Sequence, residues 1–425
     1  MLPGFCTILL RFRSRMPALT SAKCKRMRDL LNSSILHCPA RIRQVVLRRL
    51  REDSAGTDEL YHEKNEETRV QKIGRIFIGA ALAVAALAAT AQAPQPAAHH
   101  WAIVVHGGAG VIERATMKPE IEAAYRASIT QATEAGAKVL EKGGSALDAI
   151  EAAIQILEDD PLFNAGRGAV FTAEGKNELD AAIMDGSNLK AGAVAGVTRT
   201  RHPISLARAV MEKSLHVMLI GAGADAFAAS VGLEQVDPSF FFTERRWQSL
   251  VRQLQKEGRP IPPRPAGAPP PPSVTVAEID APGAHKYGTV GVVALDRKGN
   301  IAAGTSTGGT QGKQWGRVGD SPIIGAGTYA SNQSCAVSAT GTGEYFIRLG
   351  VAREVCNLVY FKGMTLQQAA DQVIHKELES LHGDGGLIAI TPDGKLAWSF
   401  NTPGMFRARL TEGGKLQIGV YNDEP

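Results

Sequence analysis

Apolar residues recur every three to four positions over residues 118–142, a spacing that predicts a helix with one buried face. A second helix follows on SALDAIEAAIQILEDD, where Ser145 and Asp148 stand at the two positions of a capping box. ISLARAVMEK (204–213) reads as a third helix. Ahead of them, AIVVHGGAG (102–110) is a short apolar run entering a Gly-rich loop, the pattern of a buried strand. PLFNAGRGAVFTAEG (161–175) carries the Pro, Asn and Gly signals of a loop and hairpin.

Beyond residue 288 the period shortens to two. TVGVVALDRKGNIAAGTSTGG (289–309) reads as strand, turn and strand, with Lys298-Gly299-Asn300 at the turn. Residues 325–359 read as strands and then a helix, and Thr365 with Gln368 opens another. GGLIAITPDGKLAWSFNT is a hairpin with a Pro-Asp-Gly turn. There is no internal repeat. Helices before and after a set of antiparallel-looking strands predict an α+β fold: two layers of sheet covered by helices. Between the two halves, residues 258–284 contain nine Pro and are expected to be flexible linker, not core.

Composition changes this picture at the N-terminus. At 425 residues and 44% hydrophobic content the chain can bury a sizeable core. Its net charge of +5 is concentrated: residues 1–51 hold twelve Lys/Arg against Asp29 alone. The body beyond residue 94 is therefore slightly acidic, and the charge gives no argument for nucleic-acid binding. Three of the five Cys lie in the first 40 residues. Cys335 and Cys356 alone make no disulfide scaffold, and no Cys/His spacing resembles a zinc site.

QKIGRIFIGAALAVAALAATAQA (71–93) has the layout of a secretory signal peptide: Lys72 and Arg75, an apolar run from Ile76 to Ala89, then Ala91-Gln92-Ala93. The run is short for a membrane span. A signal peptide over 70–93 implies a periplasmic or secreted product. Residues 1–69 are then a disordered extension or an over-extended gene start, since a signal peptide opens a chain.

LIGAGADAFA (219–228) matches G-x-G-x-x-A, a dinucleotide fingerprint that needs a strand–turn–helix context and a distant ribose-binding acid. Helix-like residues lead into it, so a tight turn into a helix is the expectation. Neither a P-loop nor a nucleophile elbow occurs in the sequence.

Thr289 carries a different chemistry. A Thr hydroxyl is a weak nucleophile until a base activates it, and a chain that begins with Thr can use its own α-amino group. That amine has a pKa near 8, so a useful fraction is neutral at physiological pH. Cutting the Gly288–Thr289 bond would create such an end, and Gly288 tolerates strained backbone.

The motifs around this point are HGGAG (106–110), LFNAGRGAVF (162–171), GTVGVVALD (288–296), TSTGG (305–309), GRVGDSP (316–322) and ATGTGE (339–344). With these six in order over about 101–425, the chain resembles the plant-type asparaginases, or isoaspartyl peptidases, of the N-terminal-nucleophile hydrolases. The resemblance implies an αββα sandwich and autocatalytic cleavage before Thr289. The products would be an α subunit of 94–288 and a β subunit of 289–425, assembled as an (αβ)2 heterotetramer.

It also implies roles. Thr289 attacks the side-chain carbonyl of an L-aspartyl group, and Thr307 hydrogen-bonds the nucleophile. Thr340 and Gly341 supply the oxyanion hole. Arg317 takes the substrate α-carboxylate and Asp320 its α-ammonium, their spacing suiting one small zwitterion. Gly343 belongs to the substrate-facing loop, and Asn164 lies near the active centre. Catalysis needs no cofactor. Backbone carbonyls of Leu157, Glu158, Phe163, Ala165 and Arg167 would hold a structural sodium ion, with Arg167 a departure in size and charge. His106 is not expected to be catalytic, because the amino terminus supplies the base; the HGGAG loop would support the site.

Three functions stay open on the sequence. The first is an isoaspartyl dipeptidase with L-asparaginase activity, acting on β-aspartyl dipeptides and L-asparagine. The second is a glycosylasparaginase of the same superfamily. The third is an uncleaved, non-catalytic nucleotide-binding protein using 219–228.

Overall fold

The computed structural model describes residues 100–271 and 288–424. The signal-peptide and extension readings (1–93) and the second half of the Pro-rich segment lie outside these residues. Among the described residues, no helix is long and apolar enough to cross a membrane.

The fold is mixed α+β. An eight-stranded sheet runs in the order β12-β11-β1-β5-β6-β2-β3-β4. Its strands are β1 (Ala102–Gly110), β2 (Leu179–Asp185), β3 (Ala191–Val197), β4 (Met218–Ile220), β5 (Val290–Leu295), β6 (Ile301–Thr307), β11 (Gly404–Thr411) and β12 (Gln417–Tyr421). All neighbours are antiparallel except β3 and β4, which are parallel. A second sheet has the order β10-β9-β8-β7, from β7 (Thr328–Ala330), β8 (Ala336–Gly341), β9 (Gly385–Ile390) and β10 (Leu396–Phe400).

Strand alternation divides the core. In β1, Ile103 and Val105 join one apolar cluster while Ala102 and Val104 join another. In β5, Val290 and Val292 face the first and Val293 and Leu295 the second. The first cluster receives α1 (Pro119–Glu141), α2 (Ala146–Asp159) and α3 (Pro203–Lys213). The second holds Val104 and Val293 of the large sheet with Ile388 and Ile390 of the small one, so the two sheets pack face to face. A third cluster packs Val337 and Leu387 of the small sheet against α6 (Gly343–Leu349), α7 (Val351–Lys362) and α8 (Leu366–Gln372).

Both expected capping boxes are present, Ser145 with Asp148 on α2 and Thr365 with Gln368 on α8. Three features differ from the sequence reading. HGGAG is not a loop: β1 continues to Gly110, with a register shift between His106 and Ala109 that absorbs the glycines. The chain enters 219–228 as a strand, β4, before α4 (Gly221–Ser230), and pairing with β3 overrides the local helical pattern. Asp225 on α4 accepts from the backbone N–H groups of Thr198, Arg199 and Thr200, so this helix ties down the end of β3.

The third difference is in the Pro-rich segment: none of its described residues is buried, as expected of a segment outside the core, but part of it is docked. Arg264 pairs with Glu244 of α5 (Glu244–Lys256) and lies 4.5 Å over the Phe242 ring. Ala268 packs on the cluster of Phe171, Trp247 and Leu250. Proline preorganises such a segment in extended form, which lets it lie against a surface at little entropic cost.

Candidate active site

Thr289 sits immediately before β5, and β5 lies between β1 and β6 in the sheet. Thr307 ends β6, so sheet pairing brings the two Thr together across 18 residues of sequence. The Thr289 Oγ donates to the Thr307 Oγ at 3.0 Å, and the Gly309 N–H donates to the same oxygen at 3.0 Å. Both side chains are buried.

Two glycine contacts frame the Gly288–Thr289 bond. Gly108 has φ +106°, and a Cβ there would lie 2.6 Å from the Gly288 Cα, so only glycine lets β1 come this close. Asn164 works from the other side. Its backbone N–H donates to the Gly288 carbonyl at 3.2 Å, and its carbonyl accepts from Gly308 N–H at 3.0 Å. Its side chain donates to the Gly309 carbonyl at 2.7 Å and accepts from Val170 N–H at 2.9 Å. Asn164 thus fastens the 162–171 loop to both chain segments that carry the Thr pair.

A small cleft opens here, lined by Gly288, Thr289, Thr307, Arg317, Asp320 and Gly341, together with Gly309, Thr310, Gly319 and Ser321. Arg317 enters with its Nε and Nη2 bonded to Glu344 at 2.9 and 3.0 Å, a bidentate pair whose carboxylate is held below the usual range by the guanidinium. Asp320 is 4% exposed, and its Oδ2 has no hydrogen-bond partner. Burial pushes its pKa up to about 7, with Arg317 nearby acting in the opposite direction. A buried carboxylate oxygen without a donor, beside a cleft, is arranged to receive a cation. Gly343 keeps this corner open: a Cβ there would lie 2.9 Å from both Arg317 Nη2 and Asp320 Oδ1.

Thr340 and Gly341 close β8, in register with Gly386 and Gly385 of β9. The Thr340 Oγ accepts from Ala109 N–H at 3.5 Å, which leaves its own proton available to a further acceptor.

His106 is fully buried, and burial holds its imidazole at a pKa of about 3, so it is neutral. Its Nε2 lies 3.0 Å from the Ser338 Oγ. From there hydroxyls run through Thr305 and Thr328 to the Ser321 carbonyl, at 2.7, 2.7 and 3.0 Å. A Cβ at Gly291 would lie 1.9 Å from the Ser338 Oγ, so β5 rests directly on this chain of groups. A neutral imidazole so placed can position β5.

The loop after α2 turns tightly. Cβ atoms at Gly166 and Gly168 would lie 2.2 and 2.0 Å from the carbonyl oxygens of Glu158 and Phe163. Pro161 has no N–H to offer the Leu157 carbonyl four residues back. The Ala165 carbonyl accepts from Gly168 N–H. The Arg167 side chain is exposed, with its guanidinium 5.6 Å over the Phe240 ring, so its charge stays out of the loop. Backbone carbonyl oxygen is the kind of donor a hard cation takes.

Sequence reasoning missed Glu344, although it ends the ATGTGE motif, because its partner Arg317 is 27 residues away. It also missed Ser321 and the His106–Ser338 chain. Cys335 and Cys356 form a disulfide tying the start of β8 to α7, a pairing that two cysteines alone did not announce.

A family model described as "Asparaginase" matches residues 99–420. The chain is 48% identical over 322 residues to an isoaspartyl peptidase of Escherichia coli, covering 76% of this chain and 96% of that protein. It is 43% identical over 332 residues to a probable isoaspartyl peptidase/L-asparaginase 2 of Arabidopsis thaliana, covering 76% and 99%. A plant-type L-asparaginase of Pyrococcus abyssi is 43% identical over 321 residues, covering 73% and 97%. The chain belongs to the plant-type asparaginase/isoaspartyl peptidase family.

Proposed function

We infer that this protein is a hydrolase with isoaspartyl peptidase and L-asparaginase activity, cleaving β-aspartyl dipeptides and the side-chain amide of L-asparagine. The observation that carries the reading is one cleft holding a hydrogen-bonded Thr pair, a guanidinium and a buried carboxylate oxygen without a donor. The finer fold reading is the four-layer αββα sandwich of the N-terminal-nucleophile hydrolases.

The chain first processes itself. The Thr289 Oγ attacks the Gly288 carbonyl carbon, its proton passes to the Thr289 nitrogen as the C–N bond breaks, and water hydrolyses the resulting ester. This leaves a carboxylate on Gly288 and a free amine on Thr289. The Asn164 N–H, already on the Gly288 oxygen, is a donor for the developing oxyanion. The subunits 94–288 and 289–425 would then pair as an (αβ)2 heterotetramer.

In turnover, Arg317 takes the substrate α-carboxylate and Asp320 its α-ammonium, which leaves the side-chain carbonyl for Thr289. The Thr289 amine accepts the hydroxyl proton as Oγ attacks. Charge on the tetrahedral oxygen meets the Thr340 hydroxyl and the Gly341 N–H. The amine proton passes to the leaving nitrogen, and water clears the acyl-enzyme by the same route. Thr307 holds the Thr289 hydroxyl in line.

No step needs a cofactor. A structural sodium ion would be held by the carbonyls of Leu157, Glu158, Phe163, Ala165 and Arg167, and when bound it would stiffen the loop that carries Asn164. The Cys335–Cys356 disulfide supports an oxidising compartment, and with the 70–93 leader a periplasmic or secreted location.

The test is product analysis on the processed protein. Ammonia from L-asparagine and a free amino acid from β-aspartyl dipeptides support the reading. Turnover of a glycoasparagine alone, releasing an N-acetylglucosamine-type product, would overturn it in favour of a glycosylasparaginase. An uncut chain that binds NAD would overturn it in favour of the nucleotide-binding alternative.

A further inference from the structure

Trp315 is 94% exposed, the most exposed aromatic residue among the described ones. Its backbone is also in the wrong place for its type. Trp315 has φ +55° and Gly316 φ +69°, and Arg317 N–H closes the turn on the Gln314 carbonyl at 2.9 Å. Positive φ at both central residues is the signature of a type I′ turn, which takes Asn, Asp or Gly at its first centre. A bulky residue there is strained by the contact of its Cβ with the following carbonyl. Leu189 and His382 are the other non-Gly residues with positive φ among the described ones. Leu189 lies in the β2–β3 connection and His382 follows a helix end; neither falls within two positions of a residue that lines the cleft.

Trp315 stands two positions before Arg317, which lines the cleft. It belongs to the loop between Thr310 and Arg317, both of which line the cleft. The strain is not offset by burial, because the ring covers almost no protein surface. A strained, solvated indole beside a substrate clamp therefore has a use that the folded chain alone does not supply.

The clamp restricts that use. Arg317 and Asp320 engage the α-groups of the aspartyl moiety, and Thr289 takes its side-chain carbonyl. What lies beyond that carbonyl is the leaving group, which must project from the enclosed corner toward solvent. For asparagine it is ammonia and needs no surface. For a β-aspartyl dipeptide it is an entire amino acid, whose side chain is unaccommodated by any of the residues assigned so far.

We propose that Trp315 determines leaving-residue specificity, offering an apolar face to β-aspartyl dipeptides whose second residue is aromatic or large and aliphatic. This rests on the peptidase reading above and adds a preference that the reading does not contain. The aspartyl half is fixed by polar groups and tolerates no variation, while the leaving half is selected by apolar and stacking contact.

The test compares Trp315→Asn, which suits the turn, and Trp315→Phe, which keeps an aromatic ring, with the parent full-length processed protein. Substrates are L-asparagine, β-aspartyl-glycine, β-aspartyl-leucine and β-aspartyl-phenylalanine. In the parent, kcat/KM rises from the glycine to the phenylalanine dipeptide. In Trp315→Asn the ratio of kcat/KM for the phenylalanine dipeptide to that for asparagine falls by about three- to ten-fold, the worth of one aromatic contact. Trp315→Phe restores most of it, and Trp315→Asn melts no lower than the parent because the turn strain is relieved. An unmoved ratio in Trp315→Asn overturns the proposal. So does an unmoved ratio accompanied by a change in oligomeric mass, which would assign the indole to an interface. If the parent hydrolyses neither asparagine nor any dipeptide, the peptidase reading fails instead, a result distinct from an unmoved ratio.

Discussion

The Thr289 hydroxyl donates to the Thr307 hydroxyl at 3.0 Å, and Gly309 N–H fixes the acceptor in place. The Thr289 hydroxyl is thus oriented by the strand beside it. Thr307→Val keeps the shape and removes a hydroxyl that accepts from Thr289 at rest and can donate to its oxygen as negative charge develops there. It should lower kcat by about 10- to 100-fold, the worth of a hydrogen bond to a group gaining charge, with KM little changed. Thr307→Ser should keep most of the rate. Steady-state kinetics on the processed proteins decides, and an unchanged kcat in Thr307→Val would remove Thr307 from the mechanism.

Arg317 and Glu344 separate binding from support. On the proposed reading, Arg317→Ala loses the partner of the substrate carboxylate and should weaken binding by about 2 kcal/mol or more, read as a raised KM for asparagine. The Glu344 side chain is 58% exposed, and an exposed ion pair is worth about 0.2–1 kcal/mol. Glu344→Gln should therefore move KM by less than about five-fold. A parental KM in Arg317→Ala would contradict the clamp.

Asp320 sets a pH dependence. Its folded-state pKa, about 7, lies above the ordinary carboxylate value of 3.8. Between those values the folded protein keeps a proton that the unfolded chain has lost, so this group's contribution to stability falls as pH rises toward 7. On the proposed reading, binding of the α-ammonium needs the ionised form. KM for asparagine should therefore fall as pH rises through about 7, and a KM flat across that range would contradict the assignment. Asp320→Asn should abolish the KM profile, raise KM, and leave the unliganded protein more stable above pH 7 than the parent.

What could be read in the sequence was local or motif-borne. The capping boxes at Ser145 and Thr365 announced two helices because their chemistry spans four residues. The six motifs named residues that the fold does bring to one place: Thr289 with Thr307, Arg317 and Asp320 beside the same cleft, and Asn164 on the loop next to it. What was hidden depends on distant segments meeting. His106 reaches Ser338 across 232 positions, and β4 is a strand only because β3 pairs with it. The Pro-rich segment was read from composition, which does not show that Arg264 has Glu244 to dock on.

The Cys335–Cys356 disulfide, also hidden, closes a loop of 21 residues behind the strand that ends in Thr340 and Gly341. Such a closure is worth about 3 kcal/mol in restricted unfolded-state entropy. The Cys335→Ala/Cys356→Ala double variant should melt measurably lower than the oxidised parent, and strong reductant should lower the parent toward it. Equal melting temperatures would show that the bond adds no stability.

The central claim is that Thr289 becomes the end of a chain. Intact-mass spectrometry of the purified protein, with N-terminal sequencing of each species, addresses it most directly. The account predicts two fragments, one beginning Thr-Val-Gly-Val, and a single uncut species from Thr289→Ala. A parent that stays one uncut chain over days at neutral pH, or a Thr289→Ala variant that still cleaves at this bond, would contradict it.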